Sequence, residues 1–313
     1  MRKKIIKWII QVIGTVLLLY LAISKINLDA LFESLRGVNF YYLALIPLFV
    51  LVDLLINSYR IVSLYRFYGV ETKLPKVMII KLQGSFFSLL FPLIGDAYKI
   101  QTLKNVYGSS LAKNSLVVLL DRLLFTLALT LILVPVWLLN IFELPLILKV
   151  TIIALLIFEF LVLYLLNSPK SFSYISSKLG KLHSKLAFKD FTFSKRKGYA
   201  SEMFVNTAIS VVRHVLTALM YLIIACSLLS ISHVNVWLFI LSVFSIILSR
   251  VIPVSVAGIG LREYIAVMIF PQIGIPPEAA FSIALIVSFV GIAQGLFGGI
   301  TYLINRFSLF KKL

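Results

Sequence analysis

The sequence predicts an all-α polytopic membrane protein with about six full transmembrane helices plus two opposed re-entrant broken-helix hairpins, related as an inverted repeat. Three observations lead there. The chain is 61% hydrophobic and only 13% charged; with a mean hydropathy of +1.04 it carries more apolar surface than a soluble domain of its length could hide. Basic residues gather between the apolar runs, in the pattern that orients membrane spans. Two further apolar runs break alike, at a proline followed by glycine and charge: Phe91-Pro92-Leu93-Ile94-Gly95-Asp96-Ala97-Tyr98-Lys99, and Ile252-Pro253-Val254-Ser255-Val256-Ala257-Gly258-Ile259-Gly260-Leu261-Arg262-Glu263.

The spans follow in order. Arg2, Lys3, Lys4 and Lys7 precede an apolar run at 5–24 that lacks a small-residue cleavage site, so it reads as a retained signal anchor. Runs at 38–60, 114–139, 146–166, 204–230 and 278–305 are likewise long enough to cross about 30 Å of hydrocarbon. The basic N-terminus and the loop 168–201, with Lys170, Lys178, Lys181, Lys185, Lys189, Lys195, Arg196 and Lys197, belong on the cytoplasmic side. The opposite loops agree: 25–37 balances Lys25 and Arg36 against Asp29 and Glu33, 140–145 carries only Glu143, and 231–235 carries no formal charge. The expected location is therefore the cell (inner, cytoplasmic) membrane, with both termini cytoplasmic.

That orientation constrains the broken segments. Residues 77–105 lie between Arg66, Lys73 and Lys76 on one side and Lys104 and Lys113 on the other, so the segment must enter from the cytoplasm and return. Residues 236–271 lie between outer loops and enter from the other side. Two short full spans in place of either hairpin would leave the ends where they are. The chain then reads as one integral membrane domain, 1–313: a first half, 1–166, the basic cytoplasmic loop, 168–201, and a second half, 202–313.

A broken helix leaves backbone groups unpaired at membrane depth, and charges beside it mark a polar site. The helix-break residues are Pro92, Gly95, Pro253, Gly258 and Gly260. At the first break Asp96 is placed to cap the restarting helix, with Lys99 a point charge beside it. A helix starting at Gly260 aims free N–H groups and its positive dipole end into the second break, where Arg262 adds a fork suited to phosphate. Arg250 precedes that break, Glu263 follows it, and Asp121-Arg122 opens the third span's apolar run at a similar depth. Each of these charges reads either as a substrate contact or as half of a structural ion pair.

Other buried polar residues have plainer readings. Asp53, Asn57 and Arg60 share one helix face as an internally paired stripe. Glu159 interrupts the fourth span and calls for a basic partner or a substrate role, and His214 beside Arg213 reads as a satisfied interior histidine before a proton relay. Gly291, Gly295, Gly298 and Gly299, with Gln294 among them, suit close helix packing.

Several function classes drop out. Net charge is +18, yet the basic residues follow the membrane pattern and no nucleic-acid recognition motif accompanies them. His183, His214 and His233 are scattered, Cys226 is the lone cysteine, and no Walker glycine loop occurs, so no metal, cofactor, disulfide or ATPase is expected. The chain is not expected to be an enzyme. The alternatives are a membrane-embedded lipid transferase, with Asp96, Glu263 or His214 as base, and a non-catalytic accessory scaffold.

The stretch from Gly84 to Lys99, then Asp121-Arg122, then Ile252-Pro253 through Ala257-Gly258-Ile259-Gly260-Leu261-Arg262-Glu263 resembles the transmembrane domain of the lysylphosphatidylglycerol synthase, or flippase-like domain, family. The likeness covers nearly the whole chain, and residues 257–263 are similar to the family's Gly-Gly-x-Gly-x-Arg-Glu signature. Ala257 stands where glycine is usual, Lys99 where arginine is usual, and Asp96 and Asp121 where glutamate is frequent. The resemblance implies a lipid translocase without the soluble aminoacyl-transferase domain, moving an anionic or modified lipid such as a phospholipid or polyprenyl-phosphate lipid between leaflets. Membrane lipids are the expected partners, and a homo-oligomer or a partner lipid-modifying enzyme stays open. The headgroup seat is expected between Arg262, Arg250 and Lys99.

Overall fold

Short polar residues set where the helices begin. In the computed structural model, which describes residues 2–90, 92–167, 198–229, 234–252, 254–255 and 258–310, helix α1 (Arg2–Ile23) ends and Asn27 caps α2 (Leu28–Arg36) by accepting from the Asp29 and Ala30 N–H groups. Asn39 caps the short α3 (Phe40–Leu43), which runs on into α4 (Ile46–Phe67). Next come α5 (Leu74–Leu90), α6 (Pro92–Tyr107), α7 (Leu111–Leu138), capped by Ser110, and α8 (Leu146–Asn167). After the described chain resumes, α9 (Tyr199–Leu228), α10 (Val236–Leu248), α11 (Leu261–Ile269) and α12 (Pro277–Phe310) complete it.

The protein is an all-α polytopic membrane protein. Among the described residues five helical stretches are long and apolar enough to cross a membrane, at Phe40–Phe67, Leu111–Leu138, Leu146–Tyr164, Tyr199–Leu228 and Pro277–Arg306, and the α1–α2 pair, bent by 90°, brings the number to six when it is counted as one span. Most of the basic loop, residues 168–197, and Pro253 lie outside the described residues. The largest buried apolar cluster runs from Ile46 through Leu129 and Phe244 to Val287, so both halves of the chain share one core.

The two broken segments are hairpins. Helices α5 and α6 fold back on each other, and the Lys73 N–H donates to the Tyr107 hydroxyl at 3.1 Å where the two ends meet. In the second, Phe239 near the start of α10 stacks on Phe270 just past α11, with centroids 5.2 Å apart and an interplanar angle of 14°. Helix α12, about 50 Å long at 1.5 Å per residue, shows how they are opposed. Its beginning packs with the second hairpin's open end, where Phe281 meets Val267, while its far end, at Tyr302 and Arg306, lies with Lys76 and Val106 of the first. The hairpins therefore approach from opposite ends of α12, and their breaks meet beside its middle.

One break differs from expectation. The first helix restarts at Pro92, not Gly95, because proline fits the first helical position, where its missing N–H costs nothing. Gly95 lies inside α6, where a Cβ would collide with Gly84 O and Ser88 Oγ of α5; its role is to let the hairpin close. Asp96 is consequently a residue of the helix body, free to form pairs with other helices.

Candidate functional site

The two breaks enclose a cavity of about 430 Å³. The first hairpin contributes Ser85, Ser88, Leu89 and Leu93, and α7 contributes Arg122. The second break supplies Arg250, Ser255, Gly258, Ile259 and Arg262. Helix α12 closes one side with Ser288, Gly291 and Gln294, and α1 adds Gln11. Leu93 is 69% exposed and a Cβ on Gly291 would meet nothing within 4 Å, so the polar chamber has an open apolar flank.

Local geometry explains how the second break holds its arginines. Gly258 and Gly260 have φ of +80° and +86°, a backbone region that side chains resist. At Gly260 a Cβ would also stand 2.7 Å from the Thr15 carbonyl oxygen, so α1 can lie directly over the break only because the residue is glycine. Glu263, fully buried, accepts the Gly260 N–H at 2.6 Å on one carboxylate oxygen and the Ser288 hydroxyl on the other. Ser288 in turn accepts from Arg262 Nη1 at 2.7 Å. Glu263 thus caps α11 and fixes Arg262 through one hydroxyl, and it does not line the cavity.

The three arginines are compensated to different degrees. Arg122, half exposed, pairs with Asp96. Arg262 has only the Ser288 hydroxyl, and its Nε is buried without a partner among the described residues. Arg250 is exposed onto the cavity and an adjoining crevice, and it makes no hydrogen bond or ion pair with any described residue. Two guanidinium groups thus face one chamber with no carboxylate bonded to either, a field that an anion relieves.

The remaining predicted residues fall elsewhere. Lys99 pairs with Asp96 at 2.6 Å and lines, with Lys81 and Asp121, a crevice of about 10 Å³, which has room for one water at most. The expected seat of Arg262, Arg250 and Lys99 is corrected: Arg122 is the third cation on the cavity, and Lys99, held by Asp96, lines the small crevice instead. Asp121 does not pair with its neighbour Arg122; it holds Arg60, which also bonds Ser210. The stripe on α4 is not internally paired either. Asp53 takes a two-point contact from Arg213, at 2.9 and 3.2 Å, and Arg60 reaches to α7, so the face ties three helices together. Glu159 accepts from the Thr130 hydroxyl at 2.7 Å, and His214 Nε2 lies 3.0 Å from the Phe125 carbonyl oxygen as a satisfied interior histidine.

Sequence reasoning passed over Gln11, Ser85, Ser88, Ser255 and Ser288. Gln11 had a signal, as the lone amide in the first apolar run, and Ser85 and Ser88 stand one turn apart in α5. Of the four glycines on α12, Gly295, Gly298 and Gly299 pack on Leu89, Leu82 and Phe86 of α5, whereas Gly291 faces the cavity.

Fold and site together define a polytopic membrane protein with a cation-lined chamber inside its helical bundle. The chain belongs to the family described as the lysylphosphatidylglycerol synthase TM region, which matches residues 8–298. No curated protein and no solved structure matches it. Membership carries a membrane, lipid-related function with it.

Proposed function

We propose that the protein is a lipid translocase that passes an anionic phospholipid or polyprenyl-phosphate lipid between leaflets of the cytoplasmic membrane, with both termini cytoplasmic. The observation that carries this reading is the convergence of Arg122, Arg250 and Arg262 on one cavity where two oppositely directed broken helices meet. An isolated phosphate in hydrocarbon is prohibitively costly, and neutralising it in place lowers the crossing barrier. The headgroup occupies the chamber while the tails leave through the apolar flank at Leu93 and Gly291. Arg250 and the cavity-lining surface of Arg262 supply the charge-assisted donors, and Glu263 with Ser288 keeps Arg262 aimed. The chemistry is transport rather than catalysis: incubation with activated lipid donors is expected to yield no new covalent lipid.

The test is the purified protein in liposomes carrying lipid labelled in one leaflet. Arg250→Ala and Arg262→Ala are each expected to slow leaflet exchange by roughly tenfold to a hundredfold, the scale of a lost charged hydrogen bond. Exchange at the parent rate in both variants overturns the assignment.

A further inference from the structure

The charge on the chamber's walls speaks to the kind of headgroup it accepts, an inference that rests on the translocase reading. Its charged lining residues are Arg122, Arg250 and Arg262, and among the described residues no aspartate or glutamate joins them. Pro253, Val256 and Ala257, which complete the second break, carry no carboxylate by sequence.

The acids nearby are spent. Glu263 has one oxygen on the Gly260 N–H and the other on Ser288, and none of its surface is exposed. Asp96 is held by Lys99 and Arg122. Asp53 faces the adjoining crevice of about 60 Å³, and both of its oxygens are engaged by Arg213. What the chamber has to spare is donors and neutral polar groups. Arg250 is unpaired among the described residues, the only printed partner of the Arg262 guanidinium among them is the neutral Ser288 hydroxyl, and Ser255 and Gln294 line the walls.

We infer that the site selects net-anionic phosphate-ester lipids whose headgroups carry no ammonium, and rejects aminoacylated and ethanolamine lipids. An ammonium in the chamber meets guanidinium charge with no lining carboxylate to answer it. The phosphate of a lysyl or ethanolamine lipid satisfies the same donors as any other phosphate, so the discrimination is against the amine, a built-in repulsion rather than a tighter fit. Phosphatidylglycerol and a glycosyl polyprenyl phosphate share the accepted chemistry.

The experiment titrates the full-length purified protein with each of four lipids, phosphatidylglycerol, a glycosyl polyprenyl phosphate, phosphatidylethanolamine and lysylphosphatidylglycerol, and reads bound lipid by native mass spectrometry. At least one of the two ammonium-free lipids is expected to bind at least about tenfold tighter than both amine lipids, and which of them does so identifies the source. Gln294→Glu, which adds a carboxylate beside Arg250, is expected to narrow the gap to lysylphosphatidylglycerol. Lysylphosphatidylglycerol binding as tightly as the better ammonium-free lipid, or no binding by any of the four, overturns the selection; so does a gap that Gln294→Glu leaves unchanged. The same lipids in leaflet-labelled liposomes separate the two claims: selective binding without leaflet exchange sinks the translocase reading and leaves the selection, whereas equal exchange of all four sinks the selection and leaves the translocase.

Discussion

At the scale of single residues, the site depends on which charges have partners. Arg60 is fully buried and is held by Asp121 and Ser210; removing one member of such a pair strands the other. Asp121→Asn is expected to lower stability by about 3–5 kcal/mol, whereas replacing Arg60 and Asp121 together by apolar residues of similar volume costs far less. Thermal unfolding of the detergent-solubilised variants checks this, and equal losses in the single and double variants would refute it. Arg262 presents a different case, because its planar fork bonds Ser288 with one nitrogen while the side chain lines the cavity. Arg262→Lys keeps the charge but cannot make both contacts, so leaflet exchange is expected to fall nearly as far as in Arg262→Ala while the melting temperature changes little.

The helices show why some of this was legible in sequence and some was not. Proline within an apolar run and the glycines of 257–263 announced both breaks, since backbone limits act locally and are written locally. Helix restart at Pro92 instead of Gly95, and the partners of Asp121 and Asp53, were not legible: an ion pair across helices depends on which faces meet, and periodicity within one helix does not say. The α12 glycines make the same point, since one small-residue spacing serves two purposes. Gly298→Ala drives a methyl into the Leu82 backbone and is expected to cost about 1–3 kcal/mol as overpacking. Gly291→Ala meets open space, so it should leave the melting temperature unchanged and slow leaflet exchange by narrowing the cavity's open flank. The opposite ranking of the two variants in thermal unfolding would contradict this division of α12.

For the molecule as a whole, two hairpins inserted from opposite ends of α12 bring polar groups to its middle. Charge distribution predicted that the two hairpins enter from opposite sides, and they do lie at opposite ends of α12. It could not reveal that α1 covers the second break, which rests on Gly14 against the Val254 carbonyl and Gly260 against that of Thr15. In a Cys226→Ser background, a cysteine at Ser110, in the turn between α6 and α7, is expected to react with impermeant thiol reagents from the cytoplasmic side alone. Labelling from outside would reverse the first hairpin. The central claim, that the two breaks share one water-accessible chamber for an anionic headgroup, is tested most directly by cysteines placed singly at Ser85 and Ser255 in that background. Both are expected to react with a small water-soluble thiol reagent, and whichever of phosphatidylglycerol and a glycosyl polyprenyl phosphate binds tighter is expected to protect both over the same concentration range; reaction at only one, or protection of one without the other, would contradict the account.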